Sequence, residues 1–200
     1  MPRVASGGQG ERRRQILRAA IRVFAQKGYH TCRVRDVATE AGVAYGLVYN
    51  YFASKEALLE SIFRATWKNM LEAVSEIEQE KIGAREQLQA VADMVLRAWI
   101  ADPDLVRVLV REVARSPQLQ HEVDEIAHAF GALERIVANG QERGELRADL
   151  DPRLTSWILY GALEEILTGW VYGRLPGGEE DMAAARDAVV ATLFDGLSAR

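Results

Sequence analysis

The stretch from Val34 to Leu58 constrains the fold more than any other, because a helical apolar pattern appears in it twice, separated by a glycine. Val34, Val37, Ala38 and Ala41 recur at helical spacing. Gly42 breaks the pattern where the chain needs a positive φ at no steric cost. A second apolar face resumes at Val43, Leu47, Val48 and Tyr51. The reading is two very short helices joined by a three-residue turn. Neither would survive alone in water, so they must pack on each other and on something longer. Ala38 and Ala41 are small enough for a close, steep crossing, which with the glycine in the turn is a helix-turn-helix. The alternative is an ordinary helical hairpin of a bundle. Against it, the second helix is too short to bury much, and its outward face carries Ala44, Tyr45, Gly46, Tyr49 and Asn50. Those residues suit contact with another molecule.

The segment TCRVRDVATEAGVAYGLVYNYFASKEALL, residues 31–59, resembles the DNA-binding signature of the TetR family of bacterial transcription regulators. The likeness runs from about Arg13 to Leu59 and includes the hallmark string Tyr49, Asn50, Tyr51, Phe52, Ala53, Ser54, Lys55 and Glu56. The resemblance implies a head that binds palindromic double-stranded operator DNA. It places Tyr45, Gly46 and Tyr49, flanked by Ala44 and Asn50, towards the major groove. Tyr51 and Phe52 would anchor the short helix to the fourth. Thr31, Arg33, Lys55 and the backbone amides at Ser54 would grip phosphate.

The overall charge of −4 argues against binding to a polyanion until it is divided along the chain. Residues 1–55 hold ten Lys and Arg against three acids, a balance of +7, whereas the other 145 residues hold 15 basic and 26 acidic side chains, a balance of −11. The chain is electrically bipolar, and only its head suits nucleic acid. Arg14, Arg18 and Arg22 form a basic ridge, either a solvated face or a set of phosphate contacts. No uncharged apolar run approaches the roughly 18 residues of a membrane span. Residues 1–10 lack the apolar core of a signal peptide. The single Cys32 has no partner for an internal disulfide. These features lead us to expect a cytoplasmic protein without a membrane partner.

The expected organisation is all-α: a flexible arm over 1–10, a helix-turn-helix domain over 11–53, and an effector-binding and dimerisation body over 54–200. Ile16, Leu17, Ala20, Val23 and Phe24 form the stripe of a first helix that ends at Gly28. Ser54 is the N-cap of a long fourth helix running towards Lys81. A helix is expected over about 84–101. Asp102-Pro103, Ser116-Pro117 and Asp151-Pro152 each pair a capping side chain with proline at the first helical position, opening segments near 103–115, 117–143 and 152–173. A final helix covers about 180–198. That makes nine helices, the number the TetR resemblance implies, three in the head and six in the body.

Segment 154–172 is apolar on more than one face, so it must be buried on more than one side. Trp157, Gly161 and Ala162, with Ala184, Ala188 and Ala191 on the last helix, are the expected contacts of a homodimer. The resemblance supports this, since TetR relatives dimerise through their last two long helices.

No catalytic constellation appears: GxSxG, GxxxxGK[ST] and a GxGxxG after a strand are all missing, and the three histidines lack zinc-site spacing. No enzyme, cofactor or metal is expected. Bulky apolar residues on several body helices, among them Trp67, Met70, Trp99, Phe130, Tyr160 and Trp170, are either core or the wall of an effector cavity. Glu164-Glu165 is either a buried polar site or a solvated pair at a dimer rim. TetR bodies typically hold a small inducer, and residues 105–176 resemble the fatty-acid-degradation regulators of the FadR type. That likeness implies long-chain acyl-coenzyme A as a possible effector. Arg107, Arg111 and Arg115, four apart, would either meet coenzyme phosphates or pair with Glu112 and its neighbours. The expectation is a homodimeric repressor released from DNA by an apolar effector. Its alternatives are a TetR-type regulator of efflux sensing an aromatic, drug-like compound, and a helical carrier protein without DNA binding.

Overall fold

A computed structural model describes residues 6–112, 124–189 and 191–192. Among the described residues the chain forms nine helices and no strand: α1 (Ser6–Lys27), α2 (Val34–Glu40), α3 (Tyr45–Tyr49), α4 (Lys55–Gln79), α5 (Ala84–Ala101), α6 (Pro103–Glu112), α7 (Asp124–Glu142), α8 (Pro152–Val171) and α9 (Glu179–Val189). The expected Ser116-Pro117 cap, Arg115 and the end of the last helix lie outside the described residues.

The first helix starts earlier than the sequence suggests. Residues 6–10 were expected within a flexible arm, yet α1 begins at Ser6. Once the buried turns around Ile16 have nucleated, each further residue adds a hydrogen bond, and the glycines at 7, 8 and 10 weaken the helix without breaking it. Ile16, Ala19, Ala20 and Phe24 bury the inward stripe of α1. Gly28 ends it in the left-handed region at φ +80°, with its N–H on the Phe24 carbonyl at 3.0 Å.

Proline and capping acids set later boundaries as read from the sequence. The Leu105 N–H donates to Asp102 Oδ1 at 3.0 Å, and the Leu154 N–H donates to Asp151 Oδ1 at 2.7 Å. The Ala57 N–H donates to Ser54 Oγ at 3.1 Å and fixes the start of α4. Its far end is closed by a residue from the next helix. Buried Gln87 donates from Nε2 to the carbonyls of Ile77, Glu78 and Glu80 at 3.1, 3.0 and 3.2 Å. These are the orphan acceptors of a helix C-terminus, so one amide satisfies them and holds α5 against α4. Gly140 permits the crossing of α7 on the start of α5, since a Cβ there would stand 2.5 Å from the Ala84 Cβ.

Two cores result. The head core joins α1, α2 and α3 to Leu58, Leu59 and Ile62 of α4 and to Val108 of α6. The body core joins Val74, Leu88, Leu96, Ile136, Leu163 and Trp170. Between them sits a smaller cluster around Phe63, Trp67 and Ala129. At 25 residues, α4 spans about 38 Å and serves both cores. Arg135 of α7 braces its body end with a two-bonded pair to Glu78 at 2.6 and 2.8 Å. None of the helices in the described residues is long and apolar enough to cross a membrane.

Candidate nucleic-acid interface and body cavity

The turn between α2 and α3 is built as the spacing predicts. Gly42 takes φ +63°, the Ala41 N–H reaches the Val37 carbonyl at 2.9 Å, and the Val43 N–H reaches that of Ala38 at 3.0 Å. Val37, Ala38, Ala41 and Val48 are buried. That burial leaves Ala44, Tyr45, Gly46, Tyr49 and Asn50 together on the exposed side. Tyr45 and Tyr49 pack edge to face with ring centroids 5.2 Å apart, and their hydroxyls share a hydrogen bond of 3.1 Å. The Arg35 guanidinium lies 5.7 Å over the Tyr45 ring. Arg35 was not singled out from the sequence, yet it completes a rigid, cationic, aromatic surface. Its signal was available: it is the exposed residue between buried Val34 and Val37 on the helix that precedes the turn. Nothing stands within 4 Å of where a Gly46 Cβ would sit, so a duplex can approach the backbone there.

The expected phosphate grips divide into two groups. Thr31 and Arg33 are exposed beside α2. The Arg33 N–H donates to Asp36 Oδ2 at 2.8 Å, and Lys27 Nζ lies 2.6 Å from Asp36 Oδ1. The bond to Lys27, then the Arg33 N–H, hold the Asp36 carboxyl below its usual range. Lys55 behaves differently from the expectation. Its Nζ donates to the Tyr29 and Cys32 carbonyls at 2.7 and 3.1 Å and stands 4.4 Å over the Tyr29 ring. The side chain therefore ties the α1–α2 turn to the start of α4 rather than reaching outward, because those carbonyls have no helical partner. Phe52 is buried in the head core and Tyr51 packs against it, as expected. The basic ridge is exposed at Arg14 and Arg18, while Arg22 is paired with Glu40 at 2.6 Å.

In the body, α4, α5, α6 and α8 enclose a cavity of about 330 Å³, within the roughly 300–1,000 Å³ range of ligand sites. Phe63, Trp67, Met70, Met94, Val95, Val106, Leu109, Val110, Tyr160 and Leu167 supply most of its wall. Exposed Asn69 and Glu164 form a polar rim. Desolvation, then the neighbouring Glu165, push the Glu164 carboxyl above its usual pKa. A smaller apolar chamber lies behind Met70, Trp67 and Tyr160, with Phe130 in its wall.

Trp67, Met70 and Tyr160 thus line the cavity, and Phe130 lines the inner chamber. Trp99, Trp170, Arg107 and Arg111 do not line either space. Trp99 donates its indole N–H to the Gly177 carbonyl at 3.0 Å and packs against Trp170 at 6.2 Å, closing the body core under the α8–α9 turn. Arg107 bonds Asp104 at 2.8 Å and lies 5.1 Å over Trp99. Arg111 donates to the Ala25 carbonyl of the head at 3.3 Å. Sequence reasoning missed Val106, Leu109 and Val110, although their i, i+3, i+4 spacing marks one face of α6.

That helix has two faces with different destinations. Its cavity stripe is opposed by Leu105 and Val108, which pack in the head core, and by Arg111. Rings also connect the regions: Phe63 to Trp67 at 6.0 Å, Trp67 to Tyr160 at 5.9 Å, Tyr160 to Phe130 at 5.0 Å, and Phe130 stacked on Trp157 at 4.4 Å. Trp157 emerges on the outer face of α8, 53% exposed beside Leu154 and Ile158. Gly161 on the same face meets no atom within 4 Å. Ala162 is half-buried, and Ala184, Ala188 and Ala191 are exposed.

Comparison with known proteins follows the same division into head and body. The family model of bacterial regulatory proteins, tetR family, matches residues 16–62, and that of the YsiA-like protein C-terminal region matches residues 63–194. The fatty acid metabolism regulator protein of Bacillus subtilis (strain 168) is 32% identical over 185 residues, covering 92% of this chain and 94% of its own. The crystal structure of FadR from Bacillus subtilis in complex with stearoyl-CoA matches with a TM-score of 0.82 at 30% identity, covering 92% of this chain and 98% of that one. FadR from Bacillus halodurans, a fatty acid degradation regulator, matches with a TM-score of 0.82 at 28% identity over 94% of this chain and 97% of its own. These relatives are regulators, not enzymes.

Proposed function

Since this chain belongs to the TetR family of bacterial regulatory proteins, we propose that it is a homodimeric repressor that releases a two-fold operator when a long-chain acyl-coenzyme A fills its body cavity. The observation that carries this reading is α6. One face, Val106, Leu109 and Val110, lines the cavity, while Leu105 and Val108 belong to the head core. A chain wedged between α4 and α6 displaces the two helices that join body to head. The heads of the dimer then lose their spacing, which must match half-sites about one DNA turn apart.

The energetics suffice. Moving the protein from nearly all bound to nearly all free takes roughly 5.5 kcal/mol of ligand preference for the free form. Each methylene buried in the DNA-free form and not in the DNA-bound form supplies about 0.8 kcal/mol of that preference. The dimer is supported by the exposed face of Leu154, Trp157, Ile158 and Gly161 on α8, with Ala184 and Ala188 on α9 exposed as well. Leaving so many large apolar groups in water on one helix face marks an interaction surface.

A second reading rests on Glu164. An acid at the rim of an aromatic-walled cavity favours a cationic aromatic effector, as in a regulator of efflux. Native mass spectrometry separates the two. The first reading predicts a dimer that retains long-chain acyl-coenzyme A and takes up none of the cationic compound. A dimer that holds only the cationic compound contradicts it.

A further inference from the structure

The cavity and the smaller chamber behind it are separated by a shared wall. Among the described residues, four belong to both walls: Trp67, Met70, Val95 and Tyr160. Three of them are fixed. Trp67 is held by rings on both sides, Phe63 at 6.0 Å and Tyr160 at 5.9 Å. Tyr160 also packs on Phe130 at 5.0 Å, and Val95 is β-branched and stiff at χ1. Met70 alone is unbranched, with three rotatable bonds and no polar atom to anchor it.

The chamber behind it has a volume of only about 10 Å³, at the limit for a single water. Among the described residues of its lining, Trp67 and Tyr160 alone carry a polar side-chain N or O atom, too few partners to hold water in place. A dry void deprives its lining of contacts on one side, so an apolar group entering it restores them. Phe130 in the inner wall packs on Tyr160 on one side and stacks on Trp157 on the other.

We propose that Met70 is the chain-length determinant of this site: it stops a shorter acyl chain at the outer cavity and swings aside for a longer one, whose methyl end enters the inner chamber. This rests on the acyl-coenzyme A reading above. It predicts an affinity profile with a step. Affinity rises about fourfold per methylene while the outer cavity fills, stays flat across the lengths that meet Met70, then rises again.

The test is calorimetric titration of the full-length protein with saturated acyl-coenzyme A lengthened two carbons at a time. Met70→Ala removes the partition and should give one continuous rise. Met70→Phe makes it rigid and should keep the first rise while abolishing the second. Profiles that superimpose for all three proteins, or a wild-type rise without a flat region, would overturn the assignment of Met70 and leave the acyl-coenzyme A reading intact. Wild-type protein that binds no chain of any length would overturn both.

Discussion

Lys55 has two carbonyls and a ring face around its ammonium, and that surrounding changes what its removal should do. Hydrogen bonds involving a charged group contribute roughly 1.5–3 kcal/mol, so Lys55→Ala should destabilise the head by about 2 kcal/mol in denaturant unfolding. An unchanged midpoint with a shallower salt dependence of DNA binding would instead mark a phosphate contact. Tyr45 should show the opposite behaviour. It is 47% exposed, so Tyr45→Ala should leave stability within about 0.5 kcal/mol and cost about 1–3 kcal/mol of base discrimination. Loss of folding with intact operator preference would place the reading face elsewhere. If the effector is acyl-coenzyme A, Glu164 at the cavity would oppose its anionic charge. Glu164→Gln should therefore tighten acyl-coenzyme A binding. Because its carboxyl titrates above the usual range, wild-type affinity should also rise as pH falls towards that value, and the Gln variant should lose this dependence. The exposed face of α3 was legible because short-helix periodicity sorts buried from exposed residues. The Lys55 side chain was not, since its partners lie 23 and 26 residues away on carbonyls that sequence patterns do not reveal.

Among the helices, α6 is the one proposed to carry the coupling, since it lines the cavity and packs in the head core. Arg111 touches the head and not the cavity, so Arg111→Met should leave acyl-coenzyme A affinity nearly unchanged while weakening its effect on DNA. Allosteric coupling is typically 1–3 kcal/mol, about 5–150-fold. The check is operator affinity with and without saturating ligand, and an unchanged ratio would move the coupling to α4 alone. Helix starts at Asp102 and Asp151 were readable from capping chemistry, and α4 from its serine cap. The division of the aromatic residues was harder to see. Trp67 and Trp99 are alike in type and pattern, but one lines the cavity and the other satisfies the Gly177 carbonyl. Tertiary contacts alone separate them. A Cβ on Gly169 would stand 2.6 Å from Leu175, so this glycine makes room for the α8–α9 turn.

The whole chain is a basic head on an acidic body, which confines DNA to one end and directs its approach. In a two-fold dimer one substitution acts twice at the interface. Ile158→Asp, on the exposed apolar face, should give a folded monomer in sedimentation that binds operator far more weakly. A dimer that persists would place the interface elsewhere. The most direct measurement is the fluorescence anisotropy of a labelled operator complex titrated with long-chain acyl-coenzyme A, short-chain acyl-coenzyme A and a cationic aromatic compound in parallel. A ligand-released acyl-coenzyme A sensor loses its operator with the long chain only. An operator that stays bound at saturating long-chain acyl-coenzyme A, yet is released by the cationic compound, would contradict that function.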